Sequence, residues 1–136
     1  MVKIDNYEFP EDLYYTDDLF WVRVEGDSKI TLGLSDFGQD LAEEIEYVDV
    51  VEVGERVEKN GILGTIESGK WVGTIRSPAS GVVVEVNEEL EDDPTLINTD
   101  PYGKGWIVKM EIDDLEELDE LHHGQEAIEW LKQEIE

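Results

Sequence analysis

The sequence predicts a mainly β fold, a small antiparallel sandwich or barrel with helices at its C-terminal end. Three observations predict it. Short apolar runs alternate with polar residues at period two through the middle of the chain. Turn residues such as Gly26-Asp27, Gly54, Asn60-Gly61 and Ser77-Pro78 punctuate those runs at close spacing. Beyond Ile112 the period changes, with Leu115, Leu118 and Leu121 recurring every three residues and Ile128, Leu131 and Ile135 forming a second helical stripe.

The run Phe20-Trp21-Val22-Arg23-Val24-Glu25 reads as a half-buried strand, with Phe20, Val22 and Val24 on the covered face and Trp21, Arg23 and Glu25 on the other. Gly26-Asp27 supplies a turn, and Ile30, Leu32 and Leu34 alternate after it, so the two runs form a hairpin. Ser35 is placed to cap a short helix running to about Glu43, with Asp36 in the first turn, where a carboxylate meets the positive end of the helix dipole. Strands are expected at about Ile45 to Val50, Ile62 to Glu67, Val72 to Arg76 and Val82 to Val86. A turn-rich stretch, Asp92 to Gly103, leads to a last strand from Trp106 to Ile112, and the remainder is expected to be helical. Glu116, Glu117 and Glu120 read as a solvated face of the first tail helix, and His122-His123 as a solvated turn between helices. The length suits a single domain, 1–136.

Asp and Glu number 36 against 10 Lys and Arg, a formal charge of −26. Such a surface repels phosphate backbones and anionic headgroups, so nucleic acid and membrane are poor partners. Four tryptophans and the apolar strands argue that the charge coats a folded body. Salt screens that self-repulsion, which would suit a halophilic, salt-rich cytoplasm. No apolar run approaches a membrane span, and Met1 to Tyr7 lacks an apolar leader core, so a cytoplasmic protein is expected.

There is no cysteine, which removes disulfides, thiolate metal sites and Cys nucleophiles together. Adjacent His122 and His123 cannot by themselves supply the dispersed ligands of a metal site. The carboxylates are too numerous for an acid/base pair to be picked out, no Gly-rich phosphate loop follows a strand, and Ser35, Ser68, Ser77 and Ser80 have no histidine nearby. The reading is therefore a non-catalytic protein.

What stands out is Glu67-Ser68-Gly69-Lys70-Trp71, between an apolar run ending at Ile66 and another beginning at Val72. Two strands joined by a few residues that include a glycine make a hairpin, which puts Lys70 at the tip. A lysine so placed is exposed at its end and held at a repeatable place by its strands, as a modifying ligase requires. An acyl chain joined by an amide removes the lysine charge and adds reach, about 14 Å for the combined arm. On spacing alone an ordinary loop-tip lysine remains an alternative.

The wider sequence weighs against that alternative. Glu67-Ser68-x-Lys70, followed after six residues by Ser77-Pro78-x-Ser80-Gly81, resembles the lipoyl-lysine hairpin of the glycine cleavage system H protein family. Leu96-Ile97-Asn98-x-Asp100-Pro101-Tyr102-Gly103-x-Gly105-Trp106 and Trp21-Val22-Arg23-Val24-Glu25-Gly26-Asp27 are similar to it too, in the family's order. The resemblance implies a flattened antiparallel β-sandwich, a barrel-sandwich hybrid of the lipoyl/biotinyl type. It implies lipoate as an amide on Lys70, installed by a lipoate ligase or transferase. It implies as partners a glycine decarboxylase, an aminomethyltransferase and dihydrolipoyl dehydrogenase, visited by a carrier expected to be monomeric.

The departures cluster at the arm. The family's tip usually reads Glu-Ser-Val-Lys-Ala, whereas Gly69 and Trp71 stand here, and a His-Glu pair usually precedes the tryptophan where this chain has Leu19 and Phe20. These differences favour an H-like paralogue that serves the heterodisulfide-reductase-like complex of sulfur oxidation, over the glycine cleavage carrier itself. Trp71 either packs on the sheet or offers an apolar shelf to the arm. Other readings are a biotin carrier, which would usually have methionines beside the lysine, and a structural or regulatory protein without a cofactor.

Overall fold

The computed structural model describes residues 1–136. Its first half contains β1 (Val2–Ile4), β2 (Tyr7–Phe9), β3 (Tyr14–Tyr15), β4 (Phe20–Val24), β5 (Lys29–Leu34), α1 (Asp36–Ala42) and β6 (Ile45–Val50). Then follow β7 (Arg56–Val57), β8 (Ile62–Ser68), β9 (Val72–Arg76), β10 (Gly81–Val86), α2 (Glu89–Asp92), α3 (Leu96–Thr99) and β11 (Val108–Ile112). A 3₁₀ turn at Leu115–Glu120, β12 (His122–His123) and α4 (Gly124–Ile135) complete the chain. A seven-stranded sheet runs β12-β3-β4-β5-β11-β10-β7, a three-stranded sheet runs β6-β8-β9, and β1-β2 is a separate hairpin. All pairings are antiparallel, as the short strands and tight turns foretold. No helix is long and apolar enough to cross a membrane.

The main core of 20 buried residues draws on both larger sheets, with Val22, Ile30, Leu32, Val83 and Met110 from one and Ile45, Leu63, Ile66 and Ile75 from the other. Each large apolar side chain buried there contributes roughly 1.5–3 kcal/mol. Leu63, Ile66 and Ile75 therefore pin the β8–β9 hairpin along its length, and only its tip projects.

A second cluster corrects the half-buried reading of β4. Trp21, assigned to the open face, is fully buried among Phe9, Leu13, Tyr15, Phe37 and Leu131, while Val24 is exposed. β1, β2, α1 and α4 supply this second layer, so β4 is covered on both faces. The indole lies across the strand pair onto Gly33, its register partner, where an added Cβ would come within 2.4 Å of the ring. Its Nε1–H donates to the Pro101 carbonyl at 2.8 Å, and the Arg23 guanidinium sits 4.7 Å over its ring and donates to the Tyr102 carbonyl. The Tyr102 hydroxyl donates to the Glu8 carbonyl and accepts from the Asp36 N–H, joining the β1–β2 hairpin to α1. Burial pushes the Tyr102 phenol well above its ordinary pKa.

Ser35 caps α1 as expected, its Oγ accepting from the Gly38 N–H at 3.1 Å. At the same helix the Tyr7 hydroxyl donates to Asp40, a bond to a carboxylate that pushes the phenol up to about 12. The last long strand begins at Val108 and not at Trp106; the one-turn helix α2 leads into the turn-rich stretch before it, and that stretch holds a second, α3.

The tail differs most from expectation. Its first helix is a 3₁₀ turn; Glu116 and Glu120 are exposed as expected, but Glu117 accepts from the Ser80 N–H and Glu120 pairs with Lys59 at 2.7 Å. His122 and His123 form no solvated turn but a short strand on β3. The His122 ring stacks on Trp130 at 3.8 Å, with Asp17 on Nε2 at 2.7 Å and Glu126 on Nδ1 at 2.9 Å. Burial pulls the imidazole pKa down, but the hydrogen bonds and charges of Asp17 and Glu126 outweigh it and hold the pKa above its usual 6.5.

Candidate functional site

Glu67 pairs with Val72, and the Ser68 N–H donates to the Trp71 carbonyl at 2.8 Å, which leaves Gly69 and Lys70 as a two-residue loop. The Ser68 hydroxyl also accepts from the Lys70 N–H at 3.3 Å, so a serine at this place satisfies a tip amide from within the turn. Gly69 is not in the left-handed region. The tip is therefore not one of the primed turns that demand glycine, and a valine would serve the backbone as well. A Cβ at Gly69 would meet only the flexible end of Glu46, at 3.0 Å.

Lys70 stands at the apex with its side chain 77% exposed. Its Nζ lies 3.4 Å from Glu43 Oε2, a long ion pair between two exposed groups. All five residues singled out from the sequence, Glu67, Ser68, Gly69, Lys70 and Trp71, thus converge on this apex.

Trp71 folds back along its own strand. An added Cβ at Gly73 would come within 2.2 Å of the indole, so the ring lies flat over that glycine and still shows 38% of its surface. Packing on the sheet and offering an exposed apolar face are thus compatible. On the opposite face Tyr47, Glu67 and Val72 stand in one row across β6, β8 and β9, because Tyr47 pairs with Glu67 and Glu67 with Val72. Tyr47 and Val72 are largely exposed, as is Leu41 at the end of α1. Of the eight large apolar side chains exposed on the molecule, Trp71 and Val72 therefore follow Lys70 directly and Tyr47 stands one strand away from the tip.

Sequence reasoning missed Glu43 and Asn98. Glu43 follows α1, and Asn98 on α3 fixes the corner between α1 and β6: its Nδ2 donates to the Glu43 carbonyl at 2.8 Å, and its Oδ1 accepts from the Ile45 N–H at 2.9 Å. Ile45 in turn pairs with Ser68, which brings this corner beside the hairpin tip. The only advance signal was Asn98 in the stretch Leu96 to Trp106, with no role attached to it. Of the apolar pair that replaces the family's usual His-Glu, Phe20 is buried in the main core and Leu19 packs against the second cluster, so both serve packing.

Residues 13–134 match the family model described as the glycine cleavage H-protein. The chain is 45% identical to the probable glycine cleavage system H protein 2 of Saccharolobus solfataricus over 136 aligned positions, 98% of this chain and 92% of that one. It is 44% identical to glycine cleavage system H protein 3 of Aquifex aeolicus, covering 93% and 81% of the two chains. The crystal structure of a glycine cleavage system H protein from Mycobacterium marinum superposes with a TM-score of 0.70 at 31% identity, over 81% of this chain and 95% of that one. With a family model across nearly its whole length and relatives above 40% identity, the chain belongs to the glycine cleavage H-protein family, whose cofactor is a lipoate held covalently on a lysine.

Proposed function

We propose that this chain is a lipoyl carrier that holds its cofactor on Lys70 and moves an aminomethyl group between the enzymes of glycine cleavage. The observation that carries this reading is one amine, on a side chain 77% exposed, at the apex of a hairpin whose strands are anchored in the core. The residues present fit the group. The apex leaves room for a ligase to enclose the amine, and the exposed faces of Trp71 and Val72 offer apolar surface to an acyl chain. The nearby groove of Gln39, Asp40, Glu43, Glu44, Thr95, Asn98 and Thr99 has no apolar side chain and does not suit one.

When bound, a lipoyl amide would supply a disulfide that opens to take up a group on one sulfur; handing that group on leaves a dithiol, which is reoxidised in a separate step. The protein supplies everything else by position. Buried Leu63, Ile66 and Ile75 fix the base of the arm, Ser68 caps the turn, and the absence of cysteine leaves no protein thiol to compete in exchange. Tyr47, Val72 and Trp71 give each visiting enzyme an apolar contact in an otherwise acidic surface. The chain thus serves as a non-catalytic subunit, loaded by a lipoate ligase or transferase and visited by the decarboxylase, the aminomethyltransferase and dihydrolipoyl dehydrogenase.

A second reading, transport of a sulfur intermediate to a heterodisulfide-reductase-like complex, is favoured by Trp71, a bulky indole beside the attachment point where the family usually has alanine. The names of the relatives weigh toward glycine cleavage. Incubation with lipoate, ATP and a lipoate ligase should add one lipoyl group, located at Lys70 by peptide mass spectrometry; an unmodified Lys70 ends the carrier reading. The loaded protein should then gain an aminomethyl group from glycine and glycine decarboxylase. Full lipoylation without that gain transfers the preference to sulfur.

A further inference from the structure

Glu43 closes α1 in a backbone conformation that side chains avoid. Its φ is 67° and its ψ −158°, a region populated almost solely by glycine. Such a conformation persists only when the surroundings impose it, and here they do so from both sides. The Glu43 N–H donates to the Gln39 carbonyl at 3.0 Å, its carbonyl accepts from Asn98, and Asn98 also holds the N–H of Ile45. A glycine would satisfy every one of these backbone bonds without strain. What a glycine would lack is the carboxylate, and that carboxylate reaches Lys70 Nζ at 3.4 Å across the gap between α1 and the hairpin tip.

We infer that Glu43 is a positioning residue for loading, one that steadies the unmodified Lys70 ammonium at the apex and lets go once the amide forms. The inference rests on the reading of Lys70 as the attachment point. Free, a lysine with four methylene groups sweeps many rotamers, and an enzyme that must capture the amine bears the entropy of ordering it. An opposite charge a few ångströms away narrows that set before the encounter. Amide formation from an activated acyl ester breaks the acyl–oxygen bond, joins Nζ to the acyl carbon, and releases both extra protons of the ammonium together with the leaving group. The nitrogen is then neutral, so the attraction that steadied it disappears and the arm is free to swing. The pairing thus separates an apo state with a held amine from a loaded state with a released arm.

The test is the lipoylation kinetics of the full chain, wild type against Glu43→Gln, Glu43→Asp and Glu43→Gly, with a lipoate ligase, lipoate and ATP. Glu43→Gln and Glu43→Gly should raise the KM for the apo-protein about 3- to 10-fold with kcat unchanged, the mark of lost ground-state positioning. Glu43→Asp, which keeps the charge, should recover part of the loss. Added salt should raise the wild-type KM toward that of Glu43→Gln and leave the variant flat. Glu43→Gly should melt higher than wild type while loading worse, which separates relief of strain from loss of the carboxylate. An unchanged or lowered KM in Glu43→Gln, or a fall confined to kcat, overturns the inference although Lys70 still loads. A wild-type chain that takes no lipoyl group at Lys70 removes the carrier reading first, and this inference with it.

Discussion

At the β8–β9 tip Lys70 has one long ion pair and an open surface, whereas Trp21 is sealed under a second layer and gripped by Pro101, Arg23 and Gly33. Both lie in stretches that carry the family likeness, yet they do opposite work. The Trp21 corner binds β4 to the loop before β11 and, through Tyr102, to the N-terminal hairpin and α1. The tip holds nothing together. Shared residues in one region record packing, and in the other they record chemistry.

Exchanging one residue in each region breaks that comparison most sharply. Lys70→Arg should abolish lipoylation outright, because a guanidinium does not form the amide, while stability stays within about 0.5 kcal/mol of wild type. Intact-mass measurement and urea unfolding check the two halves. Trp21→Ala should lose roughly 3–5 kcal/mol in urea unfolding, with loading retained by whatever remains folded. Where that variant does not fold, Trp21→Phe keeps most of the volume but leaves the Pro101 carbonyl without its donor, at about 1–3 kcal/mol. Loss of loading in Trp21→Phe, with the fold intact, would erase the division between scaffold and site.

A smaller effect tests the tail. The folded-state pKa of His122 lies above its unfolded value, so its bonds to Asp17 and Glu126 stabilise fully below the unfolded pKa near 6.5. That contribution is lost as pH rises through the higher folded value. The melting-point difference between wild type and His122→Gln should therefore be larger at pH 5.5 than at pH 8.5, and a reversed or absent trend would contradict the geometry. The smallest effect belongs to Gly69→Val. With no left-handed φ to defend and only a flexible carboxylate nearby, this change should alter stability by less than about 0.5 kcal/mol and leave the hairpin paired, by amide exchange.

Local signals were legible from the residues. Alternation placed β6 and β9 at their observed limits, a serine before an acidic turn marked the start of α1, and apolar runs on either side of Gly69-Lys70 placed the apex. What escaped depends on partners distant in the chain. Trp21 reads as solvent-facing until residues 4–15 and 127–131 are known to fold over it. β1, β2 and β3 are too short for alternation to separate them from loop, although Asp5-Asn6 between two apolar pairs was a usable hint. Glu43 is unremarkable in sequence because its meaning lies in a backbone angle and in an amine 27 positions away. The histidines misled because a solvated turn and a strand stacked on Trp130 have the same two letters.

The indole lying over Gly73 gives the molecule a built-in optical gauge. Trp21 is wholly enclosed and Trp106 and Trp130 are half covered, so Trp71 is the tryptophan most open to water and the one bonded directly to Lys70. Disulfides quench indole emission at short range and dithiols do so far less. An arm folded back onto Trp71 would then report its redox state in the red edge of the protein's own fluorescence, with no added dye.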